Sequence, residues 1–160
     1  MKRRKIISWS LVLIWMGVIF FFSAQSRSES SALSGGLTEK IIAFIQYFNS
    51  HIALQVSALE SILRTNAHFI VYSILGSLIL NALHLGKTTP YISQSIVAWT
   101  ISILFAISDE IHQHFVPGRS AQVIDVLVDS AGALAGILFF LLIINLKTKI
   151  SKQKTVKKTS

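Results

Sequence analysis

Four long apolar runs constrain this chain more than any other feature. Residues 6–22, 67–86, 91–108 and 123–146 hold only two charged side chains between them, Asp125 and Asp129. As a helix the shortest of these runs covers about 26 Å, close to the hydrocarbon thickness of a bilayer. Within lipid a single segment can satisfy its own backbone donors and acceptors only as a helix. The runs therefore predict an all-α, polytopic membrane bundle with four transmembrane helices. At 160 residues there is room for a single domain, 1–160, ending in a basic tail at 147–160. The first run, preceded by "KRRK" and followed by "SAQS", also fits a cleaved signal peptide. Its apolar stretch is longer than a usual signal core, which favours an uncleaved span.

The net charge of +8 would suit a nucleic-acid partner if it formed a patch on a folded surface. It does not. Lys2, Arg3, Arg4 and Lys5 precede the first run, and Lys147, Lys149, Lys152, Lys154, Lys157 and Lys158 follow the last. Basic residues flanking spans set topology and touch anionic lipid. If both termini and the 87–90 turn face the cytoplasm, eleven of the fifteen Lys and Arg lie there, and all seven acids lie on the other side or in that half of the membrane. This predicts a multi-pass membrane protein with both termini in the cytoplasm. The implied partners are membrane lipids, not nucleic acid. No cysteine is present, so disulfide and thiolate chemistry are excluded.

Between the first two runs lies the one sizeable polar segment, residues 23–66. It opens on the Ser/Gly-rich "SAQSRSESSALSGG", a loop signal. From Thr38, a good N-cap with Glu39 behind it, the pattern turns helical, with Ile41, Ile45, Phe48 and Ile52 on one face. Asn49, Ser50 and His51 mark a break. One or two amphipathic helices are expected here, lying on the membrane or over the bundle.

Helical spacing gathers the polar groups. In the fourth run Asp125, Asp129, Gly132 and Gly136 are four, three and four residues apart, on one stripe. The two glycines form a GxxxG pair that admits a close neighbouring helix. The same pair would also serve a homo-oligomer. In the third run the stripe is Ser95, Trp99, Ser102, Ala106, Asp109 and Gln113, with His112 beside it. In the second, Arg64, His68, Tyr72 and Gly76 repeat every four residues. Each stripe is most polar at the same end of the membrane, the outer one.

Asp129 falls about two turns inside its run, where a carboxylate costs roughly 2.5–3.5 kcal/mol to insert. Arg64, His68 and Arg119 are its available partners. A buried ion pair that fixes helix register is the plain explanation. Convergence of several ionisable groups favours a functional site. Asp109, Glu110 and His112 are potential metal ligands, but their spacing matches no standard zinc pattern, so no metal is expected and no cofactor can be named. "VPGR" at 116–119 reads as a turn that sets Arg119 where it can meet a phosphate or carboxylate. Ser23, Gln25 and Ser26 add hydrogen-bonding groups just past the first run, and His51, His84 and His114 read as surface or headgroup-level residues.

"FFSAQS", "RTNAHFIVYSILG" and "SDEIHQHFVPGRSAQVIDVLVDSAGALAG" together resemble the VanZ-like family, which includes a teicoplanin-resistance membrane protein of glycopeptide-resistant bacteria. The likeness runs from about residue 6 to 146 and is most specific in the last motif. Position by position it falls on Arg64, His68, Tyr72, Asp109, Glu110, Gln113, Arg119, Asp125, Asp129 and Gly132. Two positions depart from the pattern: Thr65 stands where many relatives carry lysine, and Val71 where an acid often precedes the tyrosine.

The resemblance implies a role in the cell envelope, linked to glycopeptide resistance or to envelope homeostasis. It names no reaction. One reading is a site that binds or remodels a lipid-linked cell-wall precursor, a lipoglycopeptide or another anionic envelope molecule, with Arg64, Tyr72, Arg119 and Asp125 as binding residues. Another is an intramembrane transferase or hydrolase, with Asp109, Glu110 or Asp129 as acid or base and His68, His112 or Gln113 beside them. No nucleophile is evident for it. A small ion-coupled carrier also fits intramembrane carboxylates, although four spans are few for one.

Overall fold

The computed structural model describes residues 2–26, 35–36, 40–41, 47, 56–85 and 90–159. Four long helices make up nearly all of it: α1 (Lys2–Ser23), α2 (Val56–His84), α3 (Tyr91–His114) and α4 (Val123–Thr159). All four are long and apolar enough to cross a membrane, and no strand occurs among the described residues. The expected cap at Thr38, the break at 49–51 with His51, and most of the amphipathic segment lie outside the described residues, as do residues 86–89 of the turn joining α2 to α3.

Three boundaries differ from the hydropathy reading. The second span begins near Ser61 rather than at residue 67, because the helix continues through Arg64, Thr65 and Asn66. Polar side chains there do not break it: Arg64 points outward and Asn66 Nδ2 donates to its own helix at Ile62 O, 2.8 Å. α3 runs on past residue 108 to His114, so "SDEIHQH" is helical and the connection to α4 shrinks. α4 continues beyond residue 146 through the basic tail to Thr159.

Contacts fix the directions of the helices. Trp15 Nε1 of α1 donates to Val71 O of α2, 3.0 Å, and Asn81 Nδ2 to Ser8 Oγ, 3.4 Å. Later residues of one helix thus meet earlier residues of the other, and the pair is antiparallel. α3 and α4 are antiparallel by the same test, through Trp99 Nε1 to Ser130 O (2.9 Å) and Gln122 N to Glu110 Oε2 (2.9 Å). α2 and α4 keep a nearly constant offset along their length and run parallel: Phe69 meets Gly132, Ser73 meets Gly136 and His68 meets Asp129. The four helices therefore alternate up and down, with α2 packed against all three others.

The closest approach is between α2 and α4. A Cβ on Gly132 would run into the Phe69 carbonyl, one on Gly136 into that of Ser73, and one on Gly76 into that of Ala133. Only hydrogen at these three positions lets the backbones come so near. The hydroxyls along the seam are used. Ser73 Oγ donates to Phe69 O and Gly132 O, both at 2.8 Å, and Ser77 Oγ to Ser73 O and Gly136 O, both at 2.9 Å. Around the seam Val12, Ile19, Leu75, Ile79, Leu80, Ala98, Ala106 and Ile137 form the apolar core. The outside is also apolar, with Leu13, Phe21, Ile70, Leu104, Leu138 and Phe139 all exposed, as a lipid-facing surface requires.

Candidate functional site

At one end of the bundle α1 and α3 terminate while α2 and α4 begin, and the ionisable groups collect there. α2 delivers its stripe at graded depth: Arg64 is exposed, His68 half-buried, and Tyr72 and Gly76 buried. From α4 come Asp129, fully buried, and Asp125, half-buried one turn nearer the end. α3 contributes Asp109, Glu110 and Gln113, all buried, with His112 half-buried next to them.

The α3 stripe is shifted at its other end. Ser95 is half-buried and Trp99 exposed, while Gln94 and Ala98 take the buried positions. Trp99 sits at the edge of the helix interface because its indole N–H reaches sideways to Ser130 O. At the polar end Asp109 and Gln113 keep their expected places, and Glu110, one residue beyond the stripe, is buried with them.

Of the three partners available to Asp129, the histidine takes it. His68 Nδ1 lies 3.2 Å from Asp129 Oδ1, joining α2 to α4 just beyond the glycine seam. Gln113 Nε2 donates to Asp109 Oδ2, 3.2 Å, one turn along the same helix. Glu110 Oε2 accepts from Gln122 N and so receives the chain as it enters α4.

Neither Arg64 nor Arg119 forms an ion pair among the described residues. Arg119 follows a turn in which its own N–H bonds Val116 O, 3.1 Å, across Pro117 and Gly118. Gly118 has φ 77°, a left-handed conformation that the third position of a type II turn demands. Burial, and then the nearby Arg64 guanidinium, pull Arg119 below its ordinary value, while Asp109, Glu110 and Asp125 push it back up.

Glu110 and Asp129 each spend one oxygen and leave the other, Oε1 and Oδ2, buried and unbonded, whereas Asp109 has the Ser23 hydroxyl as a partner besides Gln113. Tyr72 Oη and His112 Nε2 are buried and unbonded as well. Tyr72 lies within electrostatic reach of Asp109, Asp129 and Glu110, so these groups form one cluster. Buried polar atoms nearly always have a protein or water partner, so this end of the bundle is the candidate site. No group of three or more His, Cys, Asp and Glu side chains among the described residues is placed to hold a metal ion.

Two contacts here have little sequence signal. Ser23, the last residue of α1, is buried beside Asp109. Phe20 stacks on His112, ring centroids 4.2 Å apart, and holds that imidazole at the edge of the cluster. Nothing in the periodicity of the first run singles out either residue. Of the remaining histidines, His84 stacks on Tyr91 at the opposite end, and His114 is exposed.

A family model described as VanZ/LLP1 matches residues 8–144. No curated protein and no solved structure matches the chain.

Proposed function

This chain belongs to the VanZ/LLP1 family, and from that premise we propose a role at the outer face of the bacterial cytoplasmic membrane. In this reading both termini are cytoplasmic and the polar end of the bundle opens at outer-leaflet depth. The cluster there binds a lipid-linked or anionic envelope molecule and so affects glycopeptide susceptibility, teicoplanin in particular, or envelope homeostasis. One observation carries it: carboxylates from two helices, Asp109, Glu110 and Asp129, converge with Tyr72 at that end, and Glu110, Asp129 and Tyr72 each keep an unbonded buried atom. A purely structural ion pair would saturate its own partners.

The test is a deletion strain complemented with the intact gene or with Asp129→Asn. Restored teicoplanin tolerance with the first and none with the second, at equal membrane abundance, is the expected result. Equal complementation by both would sink the functional role of the cluster. A reporter fused to the C-terminus and detected outside the cell would overturn the orientation.

A second reading has its own support. The His68–Asp129 hydrogen bond orients an imidazole as acid–base pairs do, which suits an intramembrane transferase or hydrolase. His68→Gln would then abolish turnover of a lipid-linked substrate while leaving its binding in place.

A further inference from the structure

The unbonded atoms at the polar end specify what kind of group they can receive. Asp109 and Asp129 are 1% and 0% exposed, and Tyr72 is 1% exposed. Oδ2 of Asp129 and Oε1 of Glu110 have no donor, and no lysine or arginine pairs with the three carboxylates among the described residues. A carboxylate oxygen only accepts, so it calls for a donor. Tyr72 Oη can both donate and accept, and is answered in full by a group that does both. Hydroxyls answer both demands. An ammonium group has nothing to accept with. A phosphate placed among carboxylates would meet like charge.

The cations lie elsewhere. Arg64 is exposed near the start of the spanning part of α2, and Arg119 is half-buried after the 116–119 turn. Both belong to the polar end of the bundle, and neither is paired with an acid among the described residues. Two guanidiniums at one end of the bundle, with no ion pair among the described residues, suit the recognition of a phosphate.

We propose that the polar end takes a lipid phosphate bearing a hydroxylated head group. The hydroxyls sit against Tyr72, Asp109, Glu110 and Asp129, and Arg64 with Arg119 holds the phosphate at the rim. This rests on the binding reading above and narrows it to a ligand class. Two sources share the chemistry, a glycerol-headed phospholipid and a sugar carried on a polyprenyl phosphate.

The test uses the purified full chain, stripped of lipid in a sugar-free detergent and titrated with defined lipids under native mass spectrometry. The probes are phosphatidylglycerol, polyprenyl phosphoglucose, phosphatidic acid, phosphatidylethanolamine and monoglucosyl diacylglycerol. At least one of the first two should bind about tenfold more tightly than the remaining three, a difference of about 1.4 kcal/mol. The tighter of the two identifies the source.

Asp109→Asn with Asp129→Asn should shrink the advantage over phosphatidic acid severalfold and leave phosphatidic acid itself unchanged. Arg119→Gln, in a surface turn, should weaken every phosphate-bearing probe by a similar factor and spare the glucosyl lipid. That variant keeps the test decisive if the aspartate variants fail to fold. A flat ranking across all five lipids assigns the unbonded atoms to water and overturns the proposal, and so does preferred binding of phosphatidylethanolamine. A flat ranking with an intact teicoplanin phenotype removes this inference alone. The predicted ranking without a phenotype removes the resistance role and leaves the ligand class standing.

Discussion

The same two helices, α2 and α4, build two regions of opposite character. Along the glycine seam Ser73 and Ser77 each use their hydroxyls on two carbonyls, and three glycines bring the backbones together. About one turn away, at the polar end, Tyr72 and Asp129 keep buried atoms with no partner at all. The seam satisfies its own demands, as a part that only has to hold does. The polar end does not, and an unsatisfied buried group costs on the order of 1–3 kcal/mol. Stability spent in one region and secured in the other is the usual relation between a site and its scaffold.

That contrast can be broken by experiment, and the glycines give the largest expected effect. Gly136→Leu should prevent α2 and α4 from docking, because even a Cβ there meets the Ser73 carbonyl. Loss of the folded monodisperse species on gel filtration is the expected result. Gly132→Ala should be milder, lowering stability by about 1–3 kcal/mol as overpacking does, read as a drop in thermal midpoint in detergent. Retention of full stability by both would show that the seam is not the scaffold.

Substitutions at the polar end should move stability the other way. Asp109→Asn replaces a buried carboxylate by a neutral amide of the same shape. It should raise stability by about 1 kcal/mol, since removing a buried charge relieves its desolvation cost, while the preference for hydroxyl-headed lipid phosphates over phosphatidic acid shrinks. A destabilised Asp109→Asn would place the cluster with the scaffold and erase the contrast. The smallest effect is expected of Ser77→Ala, which loses a hydroxyl bond to Gly136 O. Such interhelical bonds are worth about 0.6 kcal/mol in a membrane, so its thermal midpoint should fall slightly, with ligand affinity unchanged.

Much of this was legible in the sequence because a membrane imposes simple rules. The four spans follow from run length, and the stripe of Asp125, Asp129, Gly132 and Gly136 follows from helical spacing; the structure buries its last three members. Errors came where composition changes without a change in conformation. Arg64, Thr65 and Asn66 look like the end of a run, yet the backbone stays helical because a helix near the membrane surface tolerates polar side chains that point out. At Trp99 periodicity alone chose the wrong residue for the core. A large side chain with a single donor settles where a carbonyl is in reach, and that carbonyl belongs to another helix.

By itself, then, the sequence determined the fold class, the number of spans and the residues that had to avoid lipid. Those depend on local properties, hydrophobicity and the 3.6-residue turn, that each segment carries with it. Which groups meet was decided only by tertiary packing. Asp129 had three candidate partners along the chain, and the parallel docking of α2 on α4 gave it His68 and neither arginine. Ser23 and Phe20 joined the site because α1 happens to end beside α3. Partner choice turns on the offset between helices, set by where three glycines let backbones touch, and an offset belongs to a pair of segments and to neither one alone.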